Sequence, residues 1–294
     1  VRRSDVARLV SLAAIWGGSF IFIRVLAPTL GPILTAASRV LIAGVVLVIY
    51  CRATGFSADL RHYWRQYLVI GVFNSTLPFV LYGFAALHIP ASYSVILNST
   101  TPLFTALLAV PLLGERLTWA KIAGLIAGAA GVTLVSRAGP VVPDLWFGAA
   151  VAACLAATLC YAVSSIYMKK HAVGAKPLAI AGWSQVFAGL VLVPIVPFAP
   201  APGPITPLVA ANVLGLALVC SSIAYVLYYR LIADVGPTRA LTVAFLMPAF
   251  GMVWGALFLD ETITLPMIAG CALIIVGTVA VLRPARRQAA SATP

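Results

Sequence analysis

Acidic residues are what this sequence has least of. Seven of its 294 residues are Asp or Glu, and charged residues of both signs reach only 9%, where soluble domains carry roughly a quarter. Hydrophobic residues make up 62% and the mean hydropathy is +1.07. Such a chain cannot cover a water-exposed surface, so it belongs in a membrane. Period-two alternation is missing, which argues against an outer-membrane barrel. Apolar runs of about 20 residues are long enough to span as helices. No Cys-x-x-Cys occurs, and Cys51, Cys154, Cys160, Cys220 and Cys271 lie in or at the ends of apolar runs, where cysteine packs as a small apolar side chain. A His-Glu-x-x-His pair, a Walker loop and a Gly-x-Ser-x-Gly elbow are all missing. His62, His88, His171 and the seven acids sit in loops or at span ends. These absences argue against intramembrane hydrolysis and ATP-driven pumping, and no metal or cofactor is expected.

What the chain does have is positive charge, +12 net. The basic residues form short clusters between apolar runs, which is topology signalling rather than a nucleic-acid surface. Ten helical spans are expected, near 8–27, 32–51, 66–87, 91–112, 119–137, 147–169, 177–198, 208–232, 238–258 and 264–283. Breakers mark several links: Pro28 to Pro32, Gly139-Pro140, Pro197 to Pro207 and Gly236-Pro237. With the N-terminus in the cytoplasm, 16 of the 19 basic residues fall at inside ends, from Arg2, Arg3 and Arg8 to Arg239, Arg283, Arg286 and Arg287. Arg24 and Arg137 alone fall outside, and Arg39 lies within a span. Both termini are therefore expected in the cytoplasm. The first apolar run is long and lacks a clear cleavage site, so it is expected to remain as a helix. Arg outnumbers Lys 15 to 4, which fits a GC-rich bacterial genome and a multi-pass inner-membrane protein. The short polar tail, 288–294, is expected to be disordered.

The two halves also repeat each other. Ala43-Gly44-Val45-Val46-Leu47-Val48 recurs as Ala188-Gly189-Leu190-Val191-Leu192-Val193, an offset of 145. At an offset of 146, Ser75, Tyr82, Pro102, Phe104, Glu115, Gly124, Gly131 and Arg137 recur as Ser221, Tyr228, Pro248, Phe250, Glu261, Gly270, Gly277 and Arg283. Each half has five spans, an odd number, so the second must run through the membrane in the opposite sense to the first. The expected units are 1–141 and 142–287, related by a pseudo-two-fold axis in the membrane plane. Transporters are built this way, with the substrate site where the repeats meet.

The stretch from Pro102-Leu-Phe through Leu113-Gly114-Glu115-Arg116-Leu117-Thr118 to Gly124 and Gly131 resembles the signature of the EamA family, within the drug/metabolite transporter superfamily. The second copy runs from Pro248-Ala-Phe-Gly through Leu259-Asp260-Glu261 to Gly270 and Gly277. Trp16-Gly17 with Ser19 resembles the family's opening, although Arg24 stands where Lys is usual, and Arg39 matches a common family arginine. The resemblance implies export of small metabolites or drugs. Among members the chain is most similar to the YddG-type amino acid exporters. The second half carries Tyr161-Ala162 in place of Trp16-Gly17, so the copies have diverged at a candidate site. In half-sized relatives the glycine-bearing helix forms the dimer contact. Here the halves are fused, so these glycines are expected to be scaffold and the protein a monomer.

Several interior residues are candidates for binding. Pro102 and Pro248 occupy equivalent positions, and paired helix breaks point to a midplane site and a hinge, or else to packing kinks. Asn74 and Tyr82, Asn98 with Thr101 and Thr105, Tyr161 with Ser165, and Ser221 with Tyr225 form polar stripes that should face inward. Trp16, Trp183 and Trp254 lie inside spans rather than at interfaces. Interior aromatics give flat walls with a polar handle, or simply pack. Arg39, which costs roughly 2.5–3.5 kcal/mol at a helix centre, could hold a substrate carboxylate, cap helix carbonyls or snorkel outward. Glu115 and Glu261 read as helix-end structural residues.

The function expected is secondary export of neutral or zwitterionic metabolites, aromatic and other amino acids among them, by alternating access through a central cavity. A multidrug exporter of cationic or aromatic compounds is the alternative, which a cavity carboxylate would favour. A membrane-embedded receptor or enzyme would need a large soluble segment or a catalytic set. Partners are the small-molecule substrate and the lipid bilayer.

Overall fold

The computed structural model describes residues 3–55, 58–138, 144–236, 240 and 242–282. The expectations for Arg2, Gly139-Pro140, Pro237, Arg239, Arg283, Arg286, Arg287 and the tail 288–294 lie outside the described residues. Every regular element among the described residues is helical.

The helices are α1 (Arg3–Ala53), α2 (Leu60–His88), α3 (Ala91–Asn98), α4 (Thr101–Leu113), α5 (Trp119–Ala138) and α6 (Leu145–His171). They continue as α7 (Pro177–Leu192), α8 (Pro207–Val235), α9 (Val243–Leu259) and α10 (Leu265–Leu282). Seven described segments are long and apolar enough to cross a membrane, α3 and α4 counting as one, and α7 and α9 are shorter apolar helices. Ile49, Ile126, Leu257 and Val276 are exposed on the outside, while Thr35, Arg39, Ser75, Gln185 and Ser221 are buried. Apolar residues outward and polar residues inward is the distribution lipid demands. The chain is a multi-pass membrane protein.

Local chemistry explains the helix ends. Asp144 accepts from the Phe147 N–H at 2.6 Å and starts α6, and Thr206 accepts from Val209 N–H at 3.3 Å and starts α8. Such caps satisfy donors that the first helical turn leaves open. Lys169, Lys170 and His171 lie in the last turn of α6, where positive charge suits the helix dipole.

Three departures from expectation follow from backbone detail. The stretch from Pro28 to Pro32 is not a loop. Helix α1 runs through it, broken only at Gly31, whose φ of 75° and ψ of 163° suit glycine. Pro32 then opens the second arm, where a missing N–H costs nothing. The fourth expected span is two helices, because α3 ends at Asn98 and α4 begins at Thr101. The seventh is shorter than expected: α7 ends at Leu192, and only the short turn Val196–Phe198 follows before the Pro-rich link.

The repeats pack through glycine. Helices α5 and α10 make the most extensive contact. A Cβ at Gly124 would fall 2.5 Å from the Gly277 carbonyl oxygen, and one at Gly131 would fall 2.6 Å from that of Gly270. Small residues let the two backbones touch. Gly128 differs from the other two in receiving the Leu103 side chain of α4. The repeated Ala-Gly pairs also meet: Gly44 lies against Gln185 and Val186 of α7, and Gly189 lies against Leu41 of α1.

Candidate functional site

An aromatic layer lies where the halves meet. Trp16 on the first arm of α1 packs on Tyr228 of α8 at 5.1 Å between ring centroids. Tyr161 on α6 stacks on Tyr82 of α2 at 6.4 Å. These are the same pair twice, since Trp16 and Tyr82 correspond in the repeat to Tyr161 and Tyr228. Each repeat's first-span ring therefore meets the other repeat's third-span tyrosine. Tyr225 extends the layer, with its ring 6.2 Å from Trp16 and 6.3 Å from Tyr229. Phe20 meets Tyr82 edge-on at 5.1 Å.

The polar groups are not duplicated. Tyr82 donates its hydroxyl to Asn98 Oδ1 at 2.9 Å, and the position corresponding to Asn98 is Ala244. Arg39 on the second arm of α1 is 6% exposed. Its Nε donates to Ser221 Oγ at 2.9 Å, and its guanidinium carbon lies 3.8 Å above the Phe79 ring. It is thus anchored inside the bundle and does not snorkel. Asn74 and Ser221 lie in π turns, Val72–Thr76 and Gly215–Ile223, at matching places in the repeats. A π turn shifts the register by one residue and is frequent at functional sites. Here one turn brings Asn74 beside the Tyr225 hydroxyl, and the other presents Ser221 to Arg39. The expected stripe of Asn74 with Tyr82 is divided accordingly: Asn74 lies beside Tyr225, and Tyr82 meets Asn98 and Tyr161.

A cavity of about 650 Å³ lies between α4, α6, α9 and α10. Thr101, Pro102, Thr105, Ser165 and Phe245 line its depth, and Glu115, Arg116, Lys121 and Lys169 its mouth. The cavity adjoins the aromatic layer through two hydrogen bonds. Thr101 donates to the Asn98 carbonyl at 2.8 Å, and Ser165 to the Tyr161 carbonyl at 2.8 Å. Glu115 is more than a helix-end residue. It meets Lys121 at 2.9 Å and Lys169 at 3.4 Å across the mouth. The Lys121 hydrogen bond holds its carboxyl below the usual carboxylate range.

Its counterpart Glu261 behaves differently. Its two carboxylate oxygens accept from Ala91 N–H at 2.6 Å and Ser92 N–H at 2.9 Å, joining the end of α9 to the start of α3. Both glutamates follow a left-handed cap, Gly114 at φ 67° and Asp260 at φ 52°. Both turns close with an N–H reaching back six residues, Glu115 to Ala109 and Glu261 to Gly255. The same local turn thus serves opposite states of its acid: one bridges two lysines at an open mouth, the other seals a helix start.

Other expected site residues stand apart. Trp254 donates to the Ala14 carbonyl at 3.0 Å and stacks with Phe250, which ties α9 to α1. Trp183 is half-buried on α7 and has no ring partner in the aromatic layer. Pro102 does not interrupt a helix, because it sits in the first turn of α4, whereas Pro248 is buried inside continuous α9. The two prolines are therefore not equivalent breaks. Sequence reasoning missed Phe79 and Gln185. Gln185 is the only glutamine well inside an expected span, Gln66 standing at the end of one, a signal that was available.

A duplicated helical bundle with a cavity between its halves and an asymmetric polar set at the cavity's inner end defines a membrane transporter. The model of the EamA-like transporter family matches residues 6–137 and again 148–283. The chain belongs to that family. It is 26% identical to an uncharacterized transporter, YvbV, of Bacillus subtilis, over 97% of this chain and 93% of that protein. It is 27% identical to a probable terminal-alkyne amino-acid exporter of Streptantibioticus cattleyicolor, over 96% of this chain and 95% of that one. A solved crystal structure shares the fold with a TM-score of 0.65 at 21% identity, covering 96% of this chain and 97% of its own.

Proposed function

We propose that this transporter is a bacterial inner-membrane exporter of small neutral or zwitterionic metabolites, with aromatic and other amino acids as substrates. It works as a monomer by alternating access. The chain crosses the membrane ten times, the two arms of α1 counting separately and α3 with α4 as one, in inverted repeats 1–141 and 142–287. Both termini are cytoplasmic. Helix-end contacts support this grouping of ends into two sides, and the loop charges support which side is cytoplasmic. Arg8 pairs with Asp234, Tyr63 with the Val173 carbonyl and Lys169 with Glu115, all ends expected inside. Arg24 donates to the Ala86 carbonyl, Gly203 to the Thr29 carbonyl, and Glu261 accepts from Ala91, all ends expected outside.

The observation that carries the reading is the cavity's one-sidedness. Its mouth holds Glu115, Lys121 and Lys169, none of its lining residues comes from the ends expected outside, and at that other side Glu261 holds the start of α3. This is the cytoplasm-facing state of an exporter. Substrate enters beside Ser165 and Thr101 and reaches Trp16, Tyr82, Asn98, Tyr161 and Tyr225. Rearrangement of α3–α4 and α9 near Pro102 and Pro248 then exposes it outside, with Asn74 and Arg39 behind the rings; Trp183 and Trp254 support the wall. The cationic-drug alternative is weaker, because the one acid at the cavity is already held by two lysines. The name of the S. cattleyicolor relative supports amino-acid substrates.

Reconstituted protein loaded with labelled phenylalanine, tryptophan, leucine or a cationic dye tests this. Saturable efflux of the amino acids and none of the dye is expected. Dye flux without amino-acid flux would move the site to the multidrug alternative.

A further inference from the structure

We propose that Arg39 binds a substrate carboxylate and that this site reads no ammonium group, so the substrates are carboxylates with an apolar body, with or without an amine. The proposal rests on the transport reading above and narrows its substrate class.

Arg39 is buried without a counter-charge. Of its guanidinium, only Nε donates, to Ser221, and a phenylalanine ring covers one face. The two terminal nitrogens donate to none of the described residues. The titratable groups that act on it are Tyr161, Cys220 and Tyr225, none of them a carboxylate. Intramembrane arginines ordinarily face a partner, a carbonyl or a water-filled space, and buried donors are ordinarily satisfied. The terminal edge left open is the one that grips a carboxylate with two parallel hydrogen bonds.

A second observation points the same way. Gln185 is fully buried, and neither end of its amide has a hydrogen-bond partner. It lies beside the Tyr225 hydroxyl, which is also a neighbour of Arg39. An unpaired amide and an unpaired guanidinium edge therefore share one neighbour, Tyr225. A carboxylate with a polar substituent on its α-carbon would satisfy both. Tyr161 links this pocket to the cavity, because it adjoins Arg39 and accepts from the cavity residue Ser165.

The amine finds no equivalent host. All seven acids of the chain lie at helix ends or in loops, and the two glutamates nearest the transport path are engaged by lysines or by backbone N–H groups. An ammonium group would meet no carboxylate there: its hosts are the faces of Trp16 and Tyr225, which attract cations weakly and without direction, and the neutral Gln185 amide oxygen, which a hydroxyl or an amide N–H satisfies as well. Recognition is therefore one-sided. An amino acid, its 2-hydroxy analogue and its N-acyl derivative should all be accepted, and an amine lacking the carboxylate should not.

Binding to purified protein, read by ligand-induced thermal stabilisation, separates this from transport. The probes are phenylalanine, phenyllactate, N-acetylphenylalanine and phenylalaninamide. The three carboxylates should bind within about threefold of one another, and the amide at least about tenfold more weakly, as loss of a charge-assisted pair implies. In Arg39→Gln the carboxylates should fall to the level of the amide, with the amide unchanged; Arg39→Lys should recover part of the difference. Equal binding of acid and amide to the wild type would overturn the proposal, as would an equal loss for all four probes in Arg39→Gln. If Arg39→Gln fails to insert, the wild-type comparison decides alone. Arginine-dependent binding without flux in liposomes would leave this proposal standing and remove the exporter reading.

Discussion

Tyr82 is buried and gives its hydroxyl to Asn98, which sits on the last residue of α3 just before the chain turns into α4. That bond fixes both the ring layer and the break in the fourth span. Tyr82→Phe should cost about 1 kcal/mol, the usual net worth of a hydrogen bond. Asn98→Ala should cost a similar amount, and the double variant should cost less than the sum, because the two changes delete one interaction. Thermal unfolding in detergent measures all three; strict additivity would mean that the pair is not coupled. The sequence made Tyr82, Asn98 and Tyr161 recognisable as inward-facing, since polar groups avoid lipid. It could not say which would touch which. Periodicity gives the face of a helix and not the identity of its neighbour. An interior tryptophan tied to a carbonyl, as Trp254 is to Ala14, reads the same as one that lines a cavity.

At the scale of elements, the two glutamate turns are matched in the repeat and differ in their partners, one at the cavity's mouth and the other at the start of α3. Glu261 supplies acceptors to the first N–H groups of α3, groups a helix cannot satisfy internally. Losing a cap costs about 0.5–2 kcal/mol, enough to raise the population of states open at that end several-fold. A cysteine placed at Ser92 should therefore react faster with an impermeant thiol reagent in Glu261→Ala than in the parent. Labelling at an unchanged rate would show that other packing closes this end. The repeat made these turns legible as a matched pair, and the Gly and Asp caps fit their left-handed geometry. The difference in their partners was not legible, because it depends on how far α9 and α4 stand from the neighbouring helices. The continuity of α1 was hidden for a related reason. Pro28 and Pro32 are loop signals in water, yet a single glycine between them suffices to bend one helix back on itself.

For the whole molecule the question is what drives transport. Proton coupling through a carboxylate needs an acid whose burial lifts its pKa into the working range. Glu115, the acid at the cavity, is shifted the other way by its hydrogen bond with Lys121. With its folded pKa below the unfolded one, the pairing contributes fully above the unfolded value and is lost only as pH falls through the folded one. Glu115 thus stays ionised across about pH 6–8 and carries no proton there. Transport should be independent of pH in that window and should stop when substrate is equal on both sides. Accumulation against a gradient under an imposed pH difference would overturn this. The duplicated scaffold was readable from spacing alone, and loop charge is what its proposed inverted sense rests on. The chemistry was harder, because Arg39, Asn98 and Gln185 break the repeat, and departures from a pattern carry no label of their own.

The glycine face between α5 and α10 has a consequence for how the protein is made. At Gly124 and Gly131 helix α5 presents backbone to its partner, and that partner is made only after α6 to α9. At about 5–20 residues per second, α5 spends many seconds in the bilayer with that face uncovered while α6 to α9 are still being synthesised. Any other helix offering a small-residue stripe can settle there first, including α5 of a second nascent chain. This contact between distant parts of the chain is thus also the one most open to mispairing during biogenesis, and a chain that stops short of α10 would leave it permanently exposed to the cell's quality-control proteases.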